Sequence, residues 1–240
     1  MATLWSLVCQ AHQGPEEAMR SARQRLLERY GGAVRRYLLG ALHDPDAADE
    51  LFQEFALQFL RGGFRRADPE RGHFRNFLKT ALFRLVVQYR RRQQRQPLPL
   101  REDAVEAAAD PVPADSEHDF LRSWRDELLA RAWHALERAE GPTGPPFYAV
   151  LRFRADHADM RSAEMARQLA AQLGRPLTAA GFRQTLHRAR ERFADALLNE
   201  VLHSLDRPTE EQLEQELIDL GLLGYCQPAL RRRGRGGEAP

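Results

Sequence analysis

The sequence predicts an all-α protein of two small helical domains joined by an acidic Pro/Ala-rich linker, the second domain containing a helix-turn-helix. Three observations lead there. Apolar residues recur at i, i+3 and i+4 along most of the chain, and runs of alternating β-branched residues are missing. From Glu102 to Asp119 there are seven acids and no lysine or arginine, with Pro111 and Pro113 among them, which is the composition of a linker. After Ser162 a short helix, a turn and a longer basic helix follow one another. The expected boundaries are residues 1–97 for the first domain, 98–118 for the linker, 119–204 for the second domain, and 205–240 for a C-terminal helix and tail.

Composition sets the outer limits. The chain has 240 residues, of which 43% are hydrophobic and 29% charged. The net charge is only +2, so basic character has to be local. Two cysteines, Cys9 and Cys226, stand far apart without a CxxC pair. That disfavours a zinc site or a disulfide framework and fits a reducing cytoplasm. No apolar run has the length of a membrane span, and the N-terminus lacks a basic segment leading into an apolar one. No metal-ligand spacing, phosphate loop or nucleophile motif is present. The expectation is a cytoplasmic protein with no catalytic site, cofactor, metal or membrane partner.

In the first domain, Leu4, Leu7, Val8 and Ala11 share one face of a short helix that Gly14-Pro15 ends. Glu16 to Tyr30 places Ala18, Ala22, Leu26 and Tyr30 at helical spacing, and Gly31-Gly32 is expected to punctuate before Val34, Tyr37, Leu38 and Leu42. Asp44-Pro45-Asp46 is a turn and helix start, with acids suited to a positive helix N-terminus.

The next two helices carry opposite charge. In Asp44 to Leu60, Ala48, Leu51, Phe52, Phe55 and Phe59 make an apolar stripe, and Asp49, Glu50, Gln53 and Glu54 fall together on the other side. Between Tyr37 and Leu60 there is no lysine or arginine; from Arg61 to Arg95 there are eleven against two acids. Adjacent helices of opposite sign point to two partners, one basic and one polyanionic. In Phe74 to Arg92 the core stripe is Phe74, Phe77, Leu78, Ala81, Leu82, Leu85 and Tyr89. Asn76, Thr80, Phe83, Arg84, Val87 and Arg91 cluster on the far side, with Phe83 pointing almost directly away from the stripe. Cations for phosphates and a ring for base stacking are what single-stranded nucleic acid requires. Packing of Phe83 under a neighbouring helix is the competing reading.

In the second domain, Phe120, Leu121, Trp124, Leu128, Ala132 and Leu136 face one way, and Phe147, Val150, Leu151 and Phe153 begin another helix. Ser162 is expected to cap the helix that carries Met165, Leu169 and Leu173 and stops at Gly174. Thr178 is expected to cap a long helix with Phe182, Leu186, Ala189, Phe193 and Leu197 inside and Arg183, Gln184, His187, Arg188 and Arg190 outside. Arg and Gln read guanine and adenine edges in a major groove, and flanking arginines hold phosphates. Beyond it, Leu213, Leu217 and Leu220 mark one more helix, Leu222, Leu223 and Tyr225 are placed to dock on another surface, and Arg231 to Gly237 is expected to be disordered, with some affinity for phosphate.

Two blocks carry a resemblance. Asp46-Ala47-Ala48-Asp49-Glu50-Leu51-Phe52-Gln53-Glu54-Phe55 resembles the Asp-x-x-Gln-Glu-x-Phe helix of bacterial RNA polymerase sigma factors, in the segment that docks on the polymerase clamp helices. Gly72-His73-Phe74-Arg75-Asn76-Phe77-Leu78 through Tyr89-Arg90-Arg91-Arg92 resembles their segment that melts and reads the −10 promoter element. Phe77 matches a position where the family usually has Trp, and Arg84 stands where many members have Asn. Gln184-Thr185-Leu186-His187-Arg188-Ala189-Arg190 resembles the recognition helix for the −35 element. The short chain is most similar to the extracytoplasmic-function (ECF) group of the sigma-70 family, over about residues 4–202.

The resemblance implies a factor that binds core RNA polymerase and directs promoter-specific initiation. It assigns polymerase binding to Asp49, Glu50, Gln53 and Glu54. It assigns −10 contacts to Asn76, Phe77, Lys79, Thr80, Phe83, Arg84, Gln88 and Arg91, and −35 contacts to Arg183, Gln184, His187, Arg188 and Arg190. The implied partners are core RNA polymerase, promoter DNA and an anti-sigma protein. The alternative is a polymerase-independent helix-turn-helix DNA-binding regulator. A regulator of that kind has no need of an acidic helix followed by an aromatic and basic one.

Overall fold

A computed structural model describes residues 8, 10–11, 15–61, 74–94, 114–141, 144–205 and 208–236. Every regular element among them is a helix. These are α1 (Glu16–Leu42), α2 (Pro45–Leu60), α3 (Phe74–Gln94), α4 (Ala114–Ala139), α5 (Phe147–Asp156), α6 (Ser162–Leu173), α7 (Ala179–Ser204), α8 (Glu210–Asp219) and α9 (Leu223–Gly236). Leu4, Leu7, Arg65, Arg66, Arg71, Gly72, His73 and Arg95 lie outside the described residues, as does the linker over 98–113. The chain divides into two compact units, residues 1–127 with 203–209, and residues 128–202 with 210–240.

In the first unit α1 runs unbroken through Gly31-Gly32, although the glycine pair predicts a break there. The reason is tertiary. A Cβ on Gly31 would stand 3.3 Å from the Phe52 ring of α2, and one on Gly32 would collide with the Glu127 carboxylate of α4. Each glycine in a helix interior costs about 1 kcal/mol against Ala. Here it admits a neighbouring side chain against the helix backbone instead of ending the helix. His43, at φ 56°, closes α1 in the left-handed region, its N–H donating to the Leu39 carbonyl at 2.8 Å.

Asp44 then starts α2 as the acids of that turn predict. Its Oδ1 accepts from the N–H of Asp46 at 2.9 Å and of Ala47 at 3.2 Å, and Pro45 occupies the first helical position. α2 buries Ala47, Ala48, Leu51, Phe55 and Phe59; α3 buries Phe74, Leu78, Leu82, Leu85 and Val86. Both pack on α1 and on each other.

α4 begins at Ala114, so residues 114–118, which the composition assigns to the linker, are helical. They have partners to hold them. The Ser116 and Tyr37 hydroxyls lie 2.7 Å apart, and Glu117 pairs with Lys79. Phe120 meets Tyr37 edge-on at 5.6 Å, and Trp124 stacks on Tyr30 at 4.9 Å. Burial pushes the Tyr37 phenol above its usual pKa, against the opposing pull of the Ser116 hydrogen bond and Arg90.

In the second unit, Val150 and Phe153 of α5, Met165 and Leu169 of α6, and Phe182 and Leu186 of α7 form one core cluster. Beside it Leu136, Phe147 and Ala189 form another, with Trp133 packed on Phe193 at 4.8 Å. Arg161, not Ser162, is the residue that precedes α6, and no side chain caps it. Ser162 lies one position too far inside, already helical. Gly174 closes α6 at φ 63°, a conformation that favours glycine. Thr178 caps α7 as expected, its Oγ1 accepting from the Gly181 N–H at 3.0 Å.

The largest departure is at the C-terminus. Residues 231–236, expected to be disordered, form the last turns of α9. Two things hold that helix: a buried stripe of Leu222, Cys226 and Ala229, and Arg232, which pairs with Glu191 and Asp195 of α7. Tyr225 stays 65% exposed.

Candidate nucleic-acid interface

On α2 the acidic residues do come together. Asp49, Glu50 and Gln53 are exposed, and Glu54 is partly exposed on the same face. Two of the three carboxylates are already engaged inside the unit. Asp49 lies 3.3 Å from the Arg35 guanidinium, and Glu54 accepts from Arg92 at 2.8 Å. Arg35 also covers the ring of Phe52, 4.4 Å from its centroid. Such exposed pairs contribute about 0–1 kcal/mol each, so an incoming basic surface can displace the arginines at little cost.

On α3 the assigned residues divide by environment. Asn76 and Arg91 are exposed, whereas Phe77, Lys79, Thr80, Phe83, Arg84 and Gln88 are partly buried. Phe83 is thus partly buried rather than fully turned outward. Phe77 lies against Phe74, with ring centroids 6.2 Å apart, so it joins the edge of the core while keeping an open side. The Thr80 hydroxyl donates to the Asn76 carbonyl at 3.0 Å, which ties it to its own helix.

Lys79 is the residue whose setting the sequence does not anticipate. Its side chain is only 14% exposed, and its ammonium pairs with Glu117. The hydrogen bond and charge of Lys79 lower the Glu117 carboxyl below its usual pKa. Sequence reasoning also passes over Arg90 and Arg92, which donate to the Ala41 carbonyl and to Glu54. No short-range signal marks these partners, because each lies 38 or more residues away.

On α7 all five assigned residues, Arg183, Gln184, His187, Arg188 and Arg190, are exposed, while Phe182, Leu186 and Ala189 beneath them are buried. At about 100° per residue they cover a contiguous arc of about 160°. His187 Nε2 lies 3.9 Å from the Glu191 carboxylate one turn on. Connecting residues 174–178 separate α6 from α7. Among the described residues no helix is long and apolar enough to cross a membrane, and no three His, Cys, Asp or Glu side chains gather as a metal site.

No curated protein and no solved structure matches the chain. The family model of Sigma-70 region 2 matches residues 26–96, which run from within α1 through α2 and α3. The first unit therefore contains a Sigma-70 region 2 domain, the part of a sigma factor that binds core RNA polymerase and recognises the −10 promoter element.

Proposed function

We propose that the protein is a sigma factor of the ECF group that binds core RNA polymerase and directs promoter-specific initiation. One observation carries this reading. Within the matched region, an outward acidic face on α2 packs beside a basic and aromatic helix, α3. The α2 face, Asp49, Glu50, Gln53 and Glu54, docks on a basic surface of the polymerase. Arg84 and Arg91 hold phosphates of the −10 strand, and Phe77 and Phe83 stack on bases once they leave the duplex. Unstacking costs a few kcal/mol, and each ring returns about 1–3 kcal/mol.

In the second unit, α7 enters the major groove of the −35 element with Arg183, Gln184, His187 and Arg188 toward base edges and Arg190 toward phosphate. An anti-sigma protein that covers the α2 face would restrain the factor by competing with the polymerase.

The test is co-elution of the full chain with core RNA polymerase on a sizing column, followed by run-off transcription from a promoter library. Co-elution with transcription from a restricted set of promoters is the expected result. A chain that binds duplex DNA by itself and never co-elutes is a polymerase-independent regulator instead.

A further inference from the structure

The C-terminal helix lays a basic end against α7. The Arg232 guanidinium donates to the Glu191 carboxylate at 3.4 Å, to the Glu191 carbonyl at 3.4 Å and to the Asp195 carboxylate at 2.6 Å. These hydrogen bonds fasten α9 one turn beyond His187 and Arg188, the outer face assigned above to base reading. The same Glu191 carboxylate lies 3.9 Å from His187 Nε2, so the fastening point adjoins that face directly.

α9 contains four arginines and no acid. The charge of Arg232 is taken up by two carboxylates. Arg231 and Arg233 project about 100° to either side of it. Both are exposed, and neither has an ion pair among the described residues. A cation in the last turns of a helix does complement the helix dipole. That effect needs one charge and gives no reason for Arg232 to reach across to α7.

We propose that Arg231 and Arg233 extend the DNA-binding surface of the second unit by holding backbone phosphates of the duplex beside the base pairs that α7 reads. Arg232 acts as the positioning residue. The ligand class is double-stranded nucleic acid, engaged through its phosphates and without regard to sequence. The inference rests on the reading of α7 as the −35 helix.

Full-length protein, with and without core RNA polymerase, is titrated onto promoter and unrelated duplexes over a range of salt, with circular dichroism as the folding control. The variants are R231A/R233A, R231K/R233K, R232A and R188A. For R231A/R233A, affinity should fall on every duplex alike. The slope of log K against log salt should flatten by about 2, because each phosphate that is no longer neutralised removes about 0.9 from it. R231K/R233K should keep most of the slope, and R232A should flatten it partly, because the helix end is no longer held in place. R188A should change which sequence is preferred. If R231A/R233A keeps the wild-type slope while R188A weakens binding, the proposal is overturned and the reading of α7 stands. If R231A/R233A binds DNA more tightly, α9 restrains binding and the proposal is overturned. If neither variant alters binding, both readings fall.

Discussion

Glu54 on α2 accepts a hydrogen bond from Arg92 on α3, 2.8 Å away, so an exposed ion pair joins the acidic face to the basic helix. The pair has a consequence for docking. Asp49 and Glu54 are the members of the α2 face that are shielded by the protein's own cations, Arg35 and Arg92, whereas Glu50 is exposed with no ion pair among the described residues.

Glu50→Lys with Glu54→Lys should therefore weaken binding to core polymerase strongly while leaving helical circular dichroism intact. Arg92→Ala, which removes only the internal competitor, should leave polymerase affinity unchanged or slightly higher. Affinity measured by fluorescence anisotropy separates the two. Equal binding by the Lys variant and the native chain would show that docking does not run through this face.

Phe77 and Leu78 are neighbours in different surroundings. Leu78 is 2% exposed, so Leu78→Ala should cost about 2–5 kcal/mol of folding stability in urea titrations. Phe77 keeps an open side, and Phe77→Ala should stay folded at a smaller cost. It should lose initiation on duplex promoter DNA and regain most of it on a template whose −10 region is already mismatched. A folded Phe77→Ala protein that initiates normally on the duplex template has no melting role at this position.

Lys79 faces a choice between Glu117 and DNA. If it contacts promoter phosphate, Glu117→Gln removes the competing carboxylate. Affinity for a −10 single strand should then rise, and the salt slope should steepen. Because Lys79 lowers the Glu117 pKa, the pair is intact above the usual carboxylate range and is lost only as pH falls through the depressed value. Acid should therefore narrow the difference between the native chain and Glu117→Gln. A Glu117→Gln protein with unchanged strand affinity at neutral pH would place Lys79 in a purely structural pair.

Cys226 offers a probe of the C-terminal helix. Its thiol is buried, and desolvation pushes its pKa up to about 12. In a Cys9→Ser background, Cys226 should react with a thiol dye at neutral pH only at the rate at which α9 opens. The unfolded chain ionises this thiol near its ordinary pKa of about 8.5, and the folded chain does not. Cys226 should therefore take stability away as pH rises from about 8.5 toward the folded value. A Cys226→Ala variant should lose less stability over that range, measured by denaturant titration. Fast labelling of the folded protein at neutral pH would contradict the packing of α9.

Much of the molecule follows from local rules that can be read along the chain. The apolar stripes place most helices to within a few residues, and Asp44 with Pro45 marks the start of α2 through a cap that spans three residues. The opposed charges of α2 and α3 and the exposed row on α7 are legible for the same reason: a helix face depends on residues three or four apart. Features that join distant positions are settled only by the folded chain. Gly31-Gly32 lies inside α1 with the Phe52 ring and the Glu127 carboxylate close against it, and the end of the acidic segment is helical with Tyr37 and Lys79 as its partners. Arg231 to Gly236 is helical because Glu191 and Asp195 receive Arg232. Each of those contacts links residues more than twenty positions apart, and its energy exists only once the intervening chain has folded to bring them together.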